Sequence, residues 1–303
     1  RTTSLLSQLL RLLHGYLVKW LAVLRRDYLL TAFLLLSFVC FNAMVVLNAL
    51  RHPFVPWRAL PVFLPTIWVF FYGGIFLAMV FAAHHSPNRE EAAARRPRAE
   101  LVALLVYLGL MFLAVYLRAH GKGHSLPGRA LGGVIAALDG LDRQVLEALG
   151  IVASHQALIV LRNFHFFFVF PLIGLLLSGN GLRALGFRAP LSNPWTVLVW
   201  LALPIANFAL LPTSPGKGAL AVAAAVCGPG LAEELTFRVG LQSRLELALR
   251  SPIRAIMASS VFFALIHLAA VETDPLWALV NALGPKMIVG FLLGYLWYRT
   301  RSL

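Results

Sequence analysis

The residues whose types and spacing could do chemistry are Glu233, Glu234 and Arg238, in the stretch Glu233-Glu234-Leu235-Thr236-Phe237-Arg238, and His267 in the next apolar stretch. Glu234 and Arg238 stand four apart, so on a helix they share a face and can pair. Glu233 points about 100° away around the same helix. One carboxylate is thereby neutralised and held, and the other is free to take a proton from water as a general base. His267 closes the run Phe262-Phe263-Ala264-Leu265-Ile266-His267 and is the nearest partner for such a base. A plainer reading competes. The three charged residues can be a buried polar knot that only fixes helix packing, and a lone histidine is usually a satisfied core residue. His155, Arg162, Asn163 and His165 keep that plain reading.

The elements that must position these residues are membrane spans. Of 303 residues 60% are hydrophobic and 13% charged, and the mean hydropathy is +0.80. Soluble domains run nearer 45–50% apolar and about 25% charged. Only twelve carboxylates are present. Ten, among them Glu100, Asp139 and Asp142, fall in stretches read as loops or helix ends, open to water. Glu233 and Glu234 follow the apolar run Gly218 to Val226 and sit at membrane depth, where an ionised carboxylate costs on the order of 2.5–3.5 kcal/mol. Gly228-Pro229-Gly230 breaks that span, since proline cannot donate its amide, and sets the carboxylates in the first turn of the restarted helix.

The expected fold is all-α: a polytopic transmembrane helical bundle of about eight spans, preceded by an interfacial amphipathic helix. Spans long enough to cross a bilayer run from Leu29 to Leu50, Leu60 to Ala83, Leu101 to Leu117, Ile151 to Ser178, Trp195 to Leu211, Ala219 to about Leu241, Ile256 to Val271 and Leu276 to Tyr298. The fourth is either one long tilted helix or a re-entrant piece followed by Phe166 to Leu177. Residues 118–150 read as a loop with short amphipathic material. Residues 1–28 alternate a leucine-rich side with a basic one, the pattern of a helix lying in the interface plane with Trp20 and Tyr16 at headgroup level. The organisation is therefore 1–28, interfacial helix; 29–150, an N-terminal transmembrane region without visible chemistry; and 151–303, the part carrying the charged motif.

The formal charge of +14 flanks apolar spans without a recognition motif, which suits anionic lipid and excludes nucleic acid as the expected partner. Sixteen Lys/Arg fall on the side of the N-terminal segment, the loops near 84–100, 179–194 and 242–255 and the tail, against eight on the other. Both termini are then expected to be cytoplasmic, in a cell inner (plasma) membrane. Cys40 and Cys227 lie in apolar runs and suggest neither a disulfide nor a metal site. No cleavable signal peptide is expected.

Glu233 to Arg238 reads as EExxxR, with a proline ahead of it, and Phe263 to His267 reads as FxxxH. In this order, in adjacent apolar spans, the two motifs resemble the CPBP intramembrane proteases, the CAAX prenyl endopeptidase and bacteriocin-processing (Abi) group. Gly186-Phe187-Arg188 and Gly290 to Thr300 are similar to the family's connecting segments, so the resemblance covers Phe166 to Leu303. It implies that Glu233 activates water and that Glu234 and Arg238 hold the site. His267 would orient the water or stabilise the oxyanion, with Phe263 packed one turn beneath it. It also implies a further helix of the HxxxN type, so the core is expected to lack its last helix. Asn281 is the nearest amide and a poor substitute.

Catalytic zinc takes about three protein ligands plus water, and Glu233 with His267 fall short. A glutamate-and-water mechanism without metal or cofactor is expected, with a metal-dependent variant as the alternative. The resemblance implies membrane-anchored or lipidated substrates. An Ala-, Arg- and Leu-rich composition points to a bacterial source, and so to sorting-tail (myxosortase-like) or peptide processing. The alternatives are a non-catalytic scaffold or immunity-type protein that keeps the knot, and a transporter using the broken sixth helix, which lacks a matching repeat.

Overall fold

A computed structural model describes residues 5–51, 65, 73–74, 77, 79–80, 94–119, 126–148, 155–187, 231–268 and 275–301. The chain is all-helical, with no strand among the described residues. In order, the helices are α1 (Leu5–Arg26), α2 (Tyr28–Arg51), α3 (Pro97–Ala119) and α4 (Leu126–Ala148). Next, α5 (His155–Phe164) runs through the π-turn π1 (His165–Val169) into α6 (Phe170–Leu177). The motif segment is α7 (Leu231–Glu234), π2 (Leu235–Gln242) and α8 (Ser243–Leu249). Then come α9 (Pro252–Leu268), α10 (Pro275–Asn281), π3 (Ala282–Lys286) and α11 (Met287–Thr300).

Four described helices are long and apolar enough to cross a membrane: Tyr28–Leu47, Pro97–Leu117, Leu158–Leu177 and Leu276–Arg299. They correspond to the first, third, fourth and eighth expected spans, and the shorter Pro252–Leu268 to the seventh. Most of the second span, all of the fifth, and the sixth before Leu231 with its Gly228-Pro229-Gly230 break lie outside the described residues, as do Arg188 and Cys227. The fourth span is one continuous helical rod whose middle widens into π1.

Helix α9 is the shared wall. One side places Phe263 and Ala255 in a core with Phe167, Phe237 and Leu241. The other places Ile256 and Ala264 against Leu30, Phe33, Ala282 and Phe291. Helix α11 comes close because Gly290 and Gly294 carry no side chain: a Cβ on Gly290 would lie 3.1 Å from the Ser260 Cα. Small residues four apart are how helices approach in lipid, where no hydrophobic drive joins them.

Three expectations change. Residues 126–148 form one long helix in the stretch read as a loop. Glu100 and Asp142 are buried, not water-solvated: Glu100 meets Arg244 at 2.6 Å and Asp142 meets His165 at 2.9 Å. Asp139 pairs with Arg162 at 2.6 Å. An ion removed from water needs a partner this close, and the partners sit on elements far away in sequence. Lys286, counted above as one of the eight loop cations, lies inside the eighth span at the end of π3. Beside these changes, Trp20 packs on Tyr295 at 5.9 Å between ring centres, so the end of α1 touches α11.

Candidate functional site

The described part of the motif helix runs from Leu231, with Glu233 and Glu234 on its first described turn. It then widens into π2, every residue of which is buried. A π-segment leaves backbone carbonyls short of partners, and in an apolar surround each must be satisfied. Side chains do this. The Ser259 hydroxyl donates to the Phe237 carbonyl at 2.8 Å, Ser243 to that of Arg238 at 3.2 Å, and Arg244 to that of Val239 at 2.6 Å. In π1 the Phe166 and Phe167 carbonyls accept from the hydroxyls of Tyr107 and Thr236. The two π-segments are thus stitched to each other and to α3 and α9.

Arg238 is fully buried. Its Nε lies 3.4 Å from Glu234 Oε1, and its Nη1 donates to the Ser259 hydroxyl at 3.1 Å. Its guanidinium carbon sits 5.3 Å from the centre of the Phe263 ring, a cation–π distance. Phe237 packs edge-on against the same ring at 5.4 Å. Glu234 and Arg238 therefore pair along the helix, roofed by Phe263.

Glu233 faces away from that pair. Its Oε1 is 3.9 Å from His267 Nε2, with side chains 20% and 28% exposed for Glu233 and His267 respectively. The other ring nitrogen, Nδ1, lies 2.8 Å from the Phe263 carbonyl. A carbonyl only accepts, so Nδ1 carries a hydrogen and neutral His267 turns a bare lone pair at Nε2 toward Glu233. Phe263 packs beneath the imidazole at 4.7 Å, touching the arginine knot with its ring and anchoring the histidine with its carbonyl.

The structure brings Glu233, Glu234, Arg238, Phe263 and His267 together. Asn281, at the end of α10, makes no hydrogen bond to them among the described residues. Two residues went unread: Ser259, whose hydroxyl links Arg238 to π2, and Lys286, at the end of π3, which packs on the helix of Phe263 and His267. A lysine inside an apolar span after Pro285 was the available signal. Among the described residues no three of His, Cys, Asp and Glu converge to hold a metal; Glu233 and His267 offer two donors.

Residues 215–303 match the family described as Rce1-like, type II CAAX prenyl endopeptidase Rce1-like. The matched segment contains both motifs. It supports the CPBP/Abi intramembrane protease family for this part of the chain, whose general activity is intramembrane proteolysis. With the long apolar helices, it marks a membrane protein. No curated protein and no solved structure matches the chain.

Proposed function

Starting from residues 215–303 as part of an Rce1-like intramembrane protease, we propose that this protein is a glutamate-dependent endopeptidase. It hydrolyses a peptide bond in a membrane-anchored or lipidated substrate, with Glu233 activating water and His267 assisting. One observation carries this reading: Glu234 is taken up by Arg238, while Glu233 faces His267 at 3.9 Å, both of them partly accessible. Two acceptors at that separation can share one water, each at an ordinary distance of about 2.8 Å. Glu233 takes a proton as the water oxygen attacks the carbonyl carbon, and returns it to the departing amine. The low dielectric that makes the carboxylate costly strengthens its action on the reacting atoms.

The substrate reaches the site laterally from the bilayer. The family description points to prenylated C-termini, whereas the composition favours the C-terminal sorting tails of a bacterial, myxosortase-like branch. Placement in the inner membrane with cytoplasmic termini rests on the Lys/Arg bias. The test compares membrane-protein termini in cells carrying the full-length protein or its Glu233→Gln variant at equal abundance. Specific uncleaved precursors accumulating with the variant support the protease. Unchanged termini favour a scaffold held by the Glu234–Arg238 knot.

A further inference from the structure

The corner between α1 and α2 is tightly built. Asp27 stands between the two helices, and its Oδ1 accepts from the Leu30 amide at 3.1 Å, in the manner of an N-cap. The Thr31 hydroxyl reaches back across the corner and donates to the Leu24 carbonyl at 2.7 Å. On the inner side Val23 and Leu24 pack, together with Ile253 of α9, on the core that holds Ile256 and Phe291, and Trp20 packs on Tyr295 of α11. The end of α1 and the starts of α2 and α9 are thereby fixed relative to one another.

These three helix ends form a surface cavity of about 340 Å³ lined by Val23, Arg26, Asp27, Tyr28, Leu29 and Arg254. Its charges do not cancel. Arg26 and Arg254 are both exposed, and among the described residues neither side chain forms an ion pair. Asp27, the acid among the six, is engaged by the Leu30 amide, and Glu246, on the helix before α9, is taken by Arg301 at 2.6 Å. Two unpaired guanidinium groups beside one engaged carboxylate favour an anion, and the planar fork of arginine matches the oxygens of a phosphate.

The place of the cavity narrows the ligand. The apolar span Tyr28–Leu47 begins at its rim, where Tyr28 and Leu29 are exposed, and Leu36 and Val39 continue the exposed apolar side of α2. A free phosphate gains nothing from such walls. A phospholipid sets its phosphate at the head of a span and its acyl chains along the apolar face below.

We propose that Arg26 and Arg254 bind the phosphate of an anionic phospholipid in this cavity, tying α1 to α9, the helix of Phe263 and His267. The site stands apart from Glu233 and does not depend on proteolysis.

The test takes the full-length protein in neutral detergent and adds phosphatidylglycerol, phosphatidylcholine or inorganic phosphate, with bound lipid counted by native mass spectrometry and the unfolding temperature followed in parallel. Phosphatidylglycerol is expected to bind and to raise the unfolding temperature, phosphatidylcholine to bind more weakly, and inorganic phosphate to leave the temperature unchanged. Arg26→Gln and Arg254→Gln are each expected to weaken phosphatidylglycerol binding about tenfold or more, as the loss of a charged hydrogen bond does, with the lipid-free unfolding temperature unchanged. Arg26→Lys is expected to keep part of the affinity. Arg25→Gln removes the same charge one residue away, outside the cavity, and is expected to cost no more than about fivefold. Equal losses from Arg25→Gln, Arg26→Gln and Arg254→Gln overturn the proposal in favour of a diffuse basic surface. Equal binding of phosphatidylcholine overturns it because the chains alone would then be held, and an equal response to inorganic phosphate assigns the cavity to a soluble anion instead.

Discussion

Glu233 Oε1 stands 3.9 Å from His267 Nε2, while its sequence neighbour Glu234 is turned to Arg238 at 3.4 Å. Adjacent carboxylates on one helix thus take different partners and, on the proposed reading, different tasks.

The first prediction separates those tasks. Glu233→Gln is expected to lower precursor cleavage by on the order of 10²–10⁴-fold, the usual worth of a general base, with little change in unfolding temperature. Glu234→Gln leaves Arg238 buried without its counter-charge and is expected to cost about 3–5 kcal/mol of stability. Thermal unfolding in detergent beside a cleavage assay measures both.

The second concerns His267. An asparagine can keep the Nδ1-like donor to the Phe263 carbonyl but offers nothing at the Nε2 position; a glutamine reaches nearer to Glu233. His267→Asn is expected to lose roughly 10²-fold in kcat, and His267→Gln less. Equal losses would show that the distal nitrogen is not the working atom.

A third tests the link between the two halves of the chain. Arg244 Nη2 lies 2.6 Å from Glu100 Oε2, both buried, and Arg244 also caps the Val239 carbonyl. Glu100→Leu alone is expected to destabilise by about 3–5 kcal/mol, because it strands a buried guanidinium. The double variant Glu100→Leu/Arg244→Met should regain part of that loss, and a double-mutant cycle reads the coupling.

A fourth addresses π3. Gly284→Ala places a methyl against the α2 backbone at Phe41, a contact that backbone must yield to, and is expected to cost about 1–3 kcal/mol. Gly174, whose Cβ would meet nothing within 4 Å, is the control: Gly174→Ala is expected to leave the unfolding temperature unchanged.

The sequence by itself determined the features that depend on near neighbours. Apolar length and scarce charge marked the membrane helices, and the four-residue spacing of Glu234 and Arg238 specified their pairing, which the helix delivers at 3.4 Å. The paired motifs supplied the family resemblance, and residues 215–303 match it. Only the tertiary structure decided the rest. Whether His267 meets Glu233 depends on how α9 packs beside the motif helix, a choice made by Phe237, Phe263 and Ser259. That Glu100 is buried follows from a partner 144 residues away, and nothing in its own stretch announces it. The π-segments were equally hidden, since widening a helix becomes tolerable only where hydroxyls from other helices, such as those of Tyr107, Thr236 and Ser259, satisfy the carbonyls it frees. Lys286 carried a visible signal as a charge inside an apolar span, but its place at the end of π3, held against α2 by the close approach of Gly284, is decided by packing. Periodicity is a local property of the chain, whereas a site assembled across helices is a property of their packing.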